Sequence, residues 1–134
     1  MTSADGAIYL DSSAIVKLIV DEPASSALRS HLVGRGDLVS SALARTEVGR
    51  ALLAWDVPTA RRCAVVLEGI DLVAIADAIL AEAAVLQPPQ LRSLDAIHVA
   101  TAHQLGADLL ELVTYDRHMQ AAAEALGMPV AAPA

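Results

Sequence analysis

Four acidic residues stand where apolar stretches give way to helix-forming ones. Asp11 follows Ala7-Ile8-Tyr9-Leu10, and Glu47 lies in the first turns of an Ala/Leu-rich segment. Asp95 heads the run Asp95-Ala96-Ile97-His98-Val99-Ala100, and Asp116 closes Leu112-Val113-Thr114-Tyr115. In an open parallel sheet the carboxyl ends of the strands share one edge, and ligands bind there. Acids far apart in sequence can converge on that edge. Converging carboxylates repel one another, so the arrangement is costly unless a cation joins them. Oxygen-only ligands suit magnesium or manganese rather than zinc. Such an ion neutralises the carboxylates, polarises a phosphate and activates a water.

Each acid also has an ordinary reading. Asp11 and Asp116 fit helix caps, Asp95 fits a first helical turn, and Glu47 could pair with Arg45 or Arg50. Capping alone is a poor account of four acids at one edge of one sheet, so the metal site is favoured. The histidines are expected to stay out of it. His98 and His103 are five residues apart and do not share a face as zinc ligands would, while His31 and His118 are isolated. His98 reads as a partly buried polar residue. Arg45 and Arg117 neighbour site acids and are the better candidates for phosphate contact. Gly34-Arg35-Gly36 lacks the spacing of a phosphate-binding loop.

The elements that would position these acids alternate. Strands are expected at Ala7–Leu10, Leu38–Val39, Leu72–Ile75 and Leu110–Thr114, with a short edge strand around Met128-Pro129-Val130. Helices are expected from Ser12 or Ser13 to Val20, from Ala24 to Val33, from Ser40 or Ser41 to Trp55, and from Asp56 to Gly69. Three more run from Asp77 to Leu86, from a Ser93 cap to Leu105, and from Arg117 to Leu126. Pro88-Pro89 marks a connection, and Ala131 to Ala134 reads as a frayed tail. Strands alternating with helices predict an α/β sandwich with a mostly parallel sheet.

The bulk numbers bound this reading. A chain of 134 residues fits one domain spanning 1–134. At 55% hydrophobic residues and mean hydropathy +0.50, it is not disordered, and surplus apolar surface points to an oligomer or a bound partner. Phe is absent, so Ala, Leu and Val build the core. Cys63 is the sole cysteine, which excludes an internal disulfide and a thiolate zinc site. The apolar N-terminal run is broken by Asp11 and Lys17, so no signal peptide or membrane anchor is expected and the protein reads as cytoplasmic. The formal charge of −7 opposes nucleic-acid binding, which must then rest on metal, local cations or a basic partner.

The same residues resemble a known family. Tyr9-Leu10-Asp11-Ser12-Ser13-Ala14-Ile15-Val16-Lys17-Leu18, with Asp21-Glu22-Pro23 after it, is similar to the opening motif of the PIN domains, and of the VapC-type toxins among them. Ala44-Arg45-Thr46-Glu47-Val48 resembles the second acidic motif. Ser93-Leu94-Asp95-Ala96-Ile97-His98-Val99-Ala100-Thr101-Ala102 resembles the third, and Val113-Thr114-Tyr115-Asp116-Arg117 the fourth. Four motifs in order cover nearly the whole chain. The resemblance implies a PIN-like three-layer sandwich and a metal-dependent ribonuclease, the toxin of a toxin–antitoxin pair. Asp11, Glu47, Asp95 and Asp116 would bind Mg2+, or Mn2+ in its place, with Ser13 and Thr114 as supporting hydroxyls. RNA would be the substrate, a cognate antitoxin the partner, and a homodimer the assembly.

One stretch departs from the pattern. Asp108-Leu109-Leu110-Glu111 is longer than usual before the fourth motif, which could displace Asp116, and Glu111 adds a rival acid. Two other functions compete. One is an aspartyl-nucleophile phosphatase acting through Asp11, although Ser13 stands where such enzymes carry a second Asp and the only lysine is Lys17. The other is a non-catalytic module that binds a basic peptide in an acidic groove.

Overall fold

The computed structural model describes residues 6–134, so positions 1–5 of the expected domain lie outside it. The chain runs β1 (Ala7–Leu10), α1 (Ser12–Ile19), α2 (Ser25–Leu32), β2 (Asp37–Ser41), α3 (Leu43–Ala51) and α4 (Val57–Glu68). It continues β3 (Asp71–Val73), α5 (Asp77–Val85), α6 (Ser93–Gln104), β4 (Leu109–Val113), α7 (Arg117–Ala125) and β5 (Val130–Ala131). The strands form one sheet in the order β3-β2-β1-β4-β5, and every pairing is parallel.

β1 explains the architecture. All its residues are buried, as both faces of a central parallel strand must be. Ala7 and Tyr9 point into a core built with Leu112, Val99, Ala102, Met119, Ala122 and Ala123. Ile8 and Leu10 point the other way, against Ala14, Ile15, Leu28, Ala44, Val48 and Val113. Helices α1–α4 therefore cover one face and α5–α7 the other, a three-layer α/β sandwich. Each fully buried Ile or Leu contributes roughly 1.5–3 kcal/mol. The small side chains Ala14, Ala44, Ala100 and Ala102, all fully buried, let the helices approach the sheet closely without aromatic filler.

The extra length before the fourth motif is absorbed locally. Ala7 pairs with Leu109 but Ile8 pairs with Glu111, so Leu110 is an unmatched bulge residue. Beyond the bulge the register is regular, and Leu10 faces Val113. The end of β4 is thus aligned with the end of β1. The bulge sits over two glycines. A Cβ at Gly36 would lie 2.7 Å from the Gly6 carbonyl oxygen and 3.0 Å from Leu110 Cδ1. Gly36 therefore serves close backbone approach, not phosphate binding. Glu111 points away from the site, where it bonds to His31 and lies 3.5 Å from Arg35.

Several boundaries differ from expectation. Ser40 and Ser41 belong to β2 rather than to a helix cap. Ser40 donates to the Leu10 carbonyl at 2.6 Å, and Ser41 reaches forward to accept from the Leu43 amide at 3.1 Å. α3 stops at Ala51, short of Trp55. Ser93 is the first residue of α6, and Arg92 before it offers no side-chain cap. The C-terminal tail is tied down: Ala131 pairs with Val113, and the Tyr115 hydroxyl donates to the Pro133 carbonyl at 2.7 Å. Among the described residues no helix is long and apolar enough to cross a membrane.

Candidate active site

The direction in which successive strands are added reverses at β1. The path first runs outward through β2 to β3, then returns to β4 on β1's other side. Crevices open at such switch points, beyond the carboxyl ends of the strands. Here the crevice is a cavity of about 210 Å³ lined by Asp11, Ser12, Ser13, Glu47, Asp95, His98, Asp116 and Met119. All four expected acids border it, each from a different segment.

Asp11 is the most constrained. It caps α1, with Oδ1 accepting from the Ala14 amide at 2.9 Å and from Ser13 Oγ at 2.8 Å. Its Oδ2 accepts from Thr114 Oγ1 at 2.6 Å. Thr114 is fully buried, and its hydroxyl also accepts from the Asp116 amide at 3.1 Å. One hydroxyl therefore ties the end of β1 to the end of β4. Asp116 caps α7, its Oδ1 accepting from the Met119 amide at 2.9 Å. Capping and cavity lining thus coincide in Asp11 and Asp116.

Glu47 and Asp95 are not caps. Glu47 pairs with neither Arg45 nor Arg50; its Oε1 accepts from Ser12 Oγ at 2.6 Å and lies 2.6 Å from His98 Nε2. Burial would raise the Glu47 carboxyl, but the His98 and Ser12 hydrogen bonds outweigh it and hold the group below its ordinary value of 4.5. The Asp95 side chain has no hydrogen bond or ion pair among the described residues. Burial raises its carboxyl above 3.8, and repulsion from Asp116, Asp11 and Glu47 adds to this, against some relief from His98. Like-charge repulsion across a shared space shifts carboxyl groups in this way, and such shifts cluster at functional sites. The positive ends of α1, α6 and α7 also face this edge and soften the repulsion.

The donor set is carboxylate oxygen and hydroxyl oxygen, which fits a hard dication. Among the described residues no three His, Cys, Asp or Glu side chains already converge closely enough to hold an ion. The cavity is a wide acidic bowl rather than a closed cage. Magnesium commonly binds through one or two carboxylates and keeps several waters, so the bowl suits it.

His98 was expected to be a bystander, yet it lines the cavity and is only 2% exposed. Its Nδ1 lies 2.7 Å from the Tyr9 hydroxyl. The missed signal was its position three residues after Asp95, which puts the two on one helix face. Arg117 begins α7 beside Asp116 and is exposed. Arg45 borders a separate hollow with Cys63 and Glu68, away from the acids.

A family model for the PIN domain matches residues 8–125. Ribonuclease VapC46 of Mycobacterium tuberculosis is 54% identical over 127 residues, covering 95% of this chain and 98% of that one. A toxin–antitoxin complex from Klebsiella pneumoniae contains a chain of the same fold, with a TM-score of 0.73 at 22% identity, covering 95% of this chain and 98% of that one. VapC20 of M. tuberculosis, described as a sarcin–ricin loop cleaving toxin, shares the fold at a TM-score of 0.69 and 14% identity, covering 86% and 94%. The chain belongs to the PIN-domain family, and within it to the VapC ribonucleases.

Proposed function

We propose that this chain is a metal-dependent endoribonuclease and the toxin of a toxin–antitoxin pair. The observation that carries the reading is the convergence of Asp11, Glu47, Asp95 and Asp116 on one cavity, in a chain 54% identical to a VapC ribonuclease. These four acids would hold Mg2+, or Mn2+ in its place. When bound, such an ion supplies charge neutralisation, polarisation of the phosphodiester and activation of water. Asp11 is held rigid by Ser13, Ala14 and Thr114, so its carboxylate geometry is set before any ligand arrives. Asp95 keeps both oxygens free to turn to ligand or water. Exposed Arg117 stands next to Asp116 and is suited to a phosphate of the substrate, countering locally the repulsion of a −7 chain.

A cognate antitoxin is the proposed partner, and a homodimer the proposed assembly, acting in the cytoplasm. The apolar side chains Leu53, Trp55, Val57 and Val65 lie exposed on and around α4, and such surface supports a protein partner. The phosphatase reading fares poorly. Lys17 bonds Glu22 at 3.1 Å and lies over the Tyr115 ring at 4.7 Å, so it is engaged away from Asp11.

The test is cleavage of a broad RNA pool by the partner-free chain, with Mg2+ or Mn2+ against chelator, alongside Asp95→Asn prepared identically. Cuts that need metal and vanish in the variant are expected. Equal cutting by both proteins, or none by wild type under any metal, would overturn the assignment.

A further inference from the structure

We propose that His98 is the positioning residue for Glu47, locking one carboxylate oxygen so that the other is presented to the cavity. The inference rests on Glu47 acting as a metal ligand. Its basis is a directed chain of hydrogen bonds across the top of the sheet. Glu47 comes from α3 on one layer and His98 from α6 on the other. His98 Nε2 lies 2.6 Å from Glu47 Oε1. A ring nitrogen that close to a carboxylate must carry its hydrogen, since otherwise two lone pairs would meet. Nδ1 is then an acceptor in the neutral ring, and the Tyr9 hydroxyl at 2.7 Å is its donor.

Tyr9 is a firm anchor. It is fully buried, and its ring meets that of His98 edge-on at 73° with centroids 5.8 Å apart. Ser12 Oγ donates to the same Glu47 oxygen at 2.6 Å, and it also lies 3.2 Å from His98 Nε2. Two donors thus occupy Oε1, while Oε2 has no partner among the described residues. Without the imidazole, Ser12 alone would hold the long Glu47 side chain, and the direction of its second oxygen would be less firmly set. Partners of this kind behind a metal ligand commonly matter 10–100-fold in metal affinity, an order-of-magnitude guide.

The experiment compares His98→Leu, His98→Gln and Tyr9→Phe in the partner-free chain. Mn2+ affinity is read by calorimetry, melting temperature in chelator, and RNA cleavage in parallel. Long-range 1H–15N spectra of the metal-free chain report the His98 tautomer. The glutamine amide reproduces the Nε2–H donor, whereas leucine removes it. His98→Leu is expected to weaken Mn2+ binding by about tenfold or more. His98→Gln should restore it to within about threefold of wild type, even if both variants melt early. Wild type should show the Nε2–H tautomer, and Tyr9→Phe should erode that preference. Leu and Gln variants that weaken together, in step with their melting temperatures, would overturn the role, as would an Nδ1–H tautomer in wild type. A wild type that neither binds Mn2+ nor cuts RNA overturns the nuclease reading and this role with it. A fully active wild type with an unaffected His98→Leu overturns the role alone.

Discussion

Thr114→Val isolates the hydroxyl that joins the two halves of the site. Valine has the shape of threonine, so no large void opens at this fully buried position. Two strong hydrogen bonds disappear, the one Thr114 donates to Asp11 Oδ2 at 2.6 Å and the one it accepts from the Asp116 amide at 3.1 Å, together with a weak contact to Met119 Sδ at 3.8 Å. The first has a charged acceptor and is worth about 1.5–3 kcal/mol; the second is worth about 0.5–1.5 kcal/mol, part of which water restores at half-exposed Asp116. Burying a methyl in place of the hydroxyl returns about 1 kcal/mol. The net expected loss is about 2 kcal/mol, or roughly 7 °C in melting temperature for a chain of this size. Calorimetry at pH 7 in chelator measures it without interference from bound metal. Thr114→Ser is the control. It keeps the hydroxyl and loses one buried methyl, for about 1 kcal/mol. RNA cleavage by Thr114→Val should fall by about tenfold or more, because Asp11 loses a donor that fixes its orientation. A Thr114→Val protein that melts within about 1 °C of wild type, or above Thr114→Ser, refutes the reasoning.

The remaining predictions concern the cost of the acidic bowl and the closeness of the backbone. Asp95→Asn should abolish cleavage yet melt higher than wild type in chelator at pH 7. The sign follows from a folded carboxyl held above 3.8: the proton is retained more tightly in the fold, so ionisation destabilises it. The penalty is absent below the unfolded value and grows as pH rises through the folded one. The advantage of the variant should therefore fade as pH drops towards 3, and an advantage that grows in acid would contradict the sign. Gly36→Ala should cost about 2 kcal/mol by urea titration, because its Cβ would press on the Gly6 carbonyl, itself the acceptor of the Asp37 amide at 3.1 Å. Gly49→Ala, exposed in α3 with nothing within 4 Å, should instead gain about 0.5–1 kcal/mol. The reverse order would show that crowding at the bulge is not the constraint.

Where the chain spoke plainly, it did so through local chemistry. Apolar runs closed by an acid marked the ends of β1 and β4, and the same acids proved to be helix caps. Asp56 and Pro58 likewise announced the start of α4, where the Asp56 carboxylate accepts from the Thr59 amide at 2.9 Å. Non-local facts were hidden. Whether Leu110 would displace Asp116 depended on a partner strand about a hundred positions away, and a bulge took up the slack. Ser40 resembled a cap, but its hydroxyl answers a carbonyl on the neighbouring strand. His98 could be weighed only against other histidines in the sequence, because its true partners, Tyr9 and Glu47, come from elsewhere in the fold. The tail looked free because the Tyr115 bond to Pro133 has no periodic signature.

The bond between Thr114 and Asp11 spans 103 positions, and this has a consequence for timing. A ribosome makes the chain from its amino end, so Asp11 and Glu47 emerge long before Asp116. Until β4 docks beside β1, the crevice has no fourth wall and Asp11 lacks one of its donors. Parallel pairings between distant segments also form late, after the closure entropy of the intervening chain has been met. A chain made only as far as β3 therefore lacks part of the proposed site. On the proposed reading, the enzyme gains its competence only once β4 has been made and has docked beside β1.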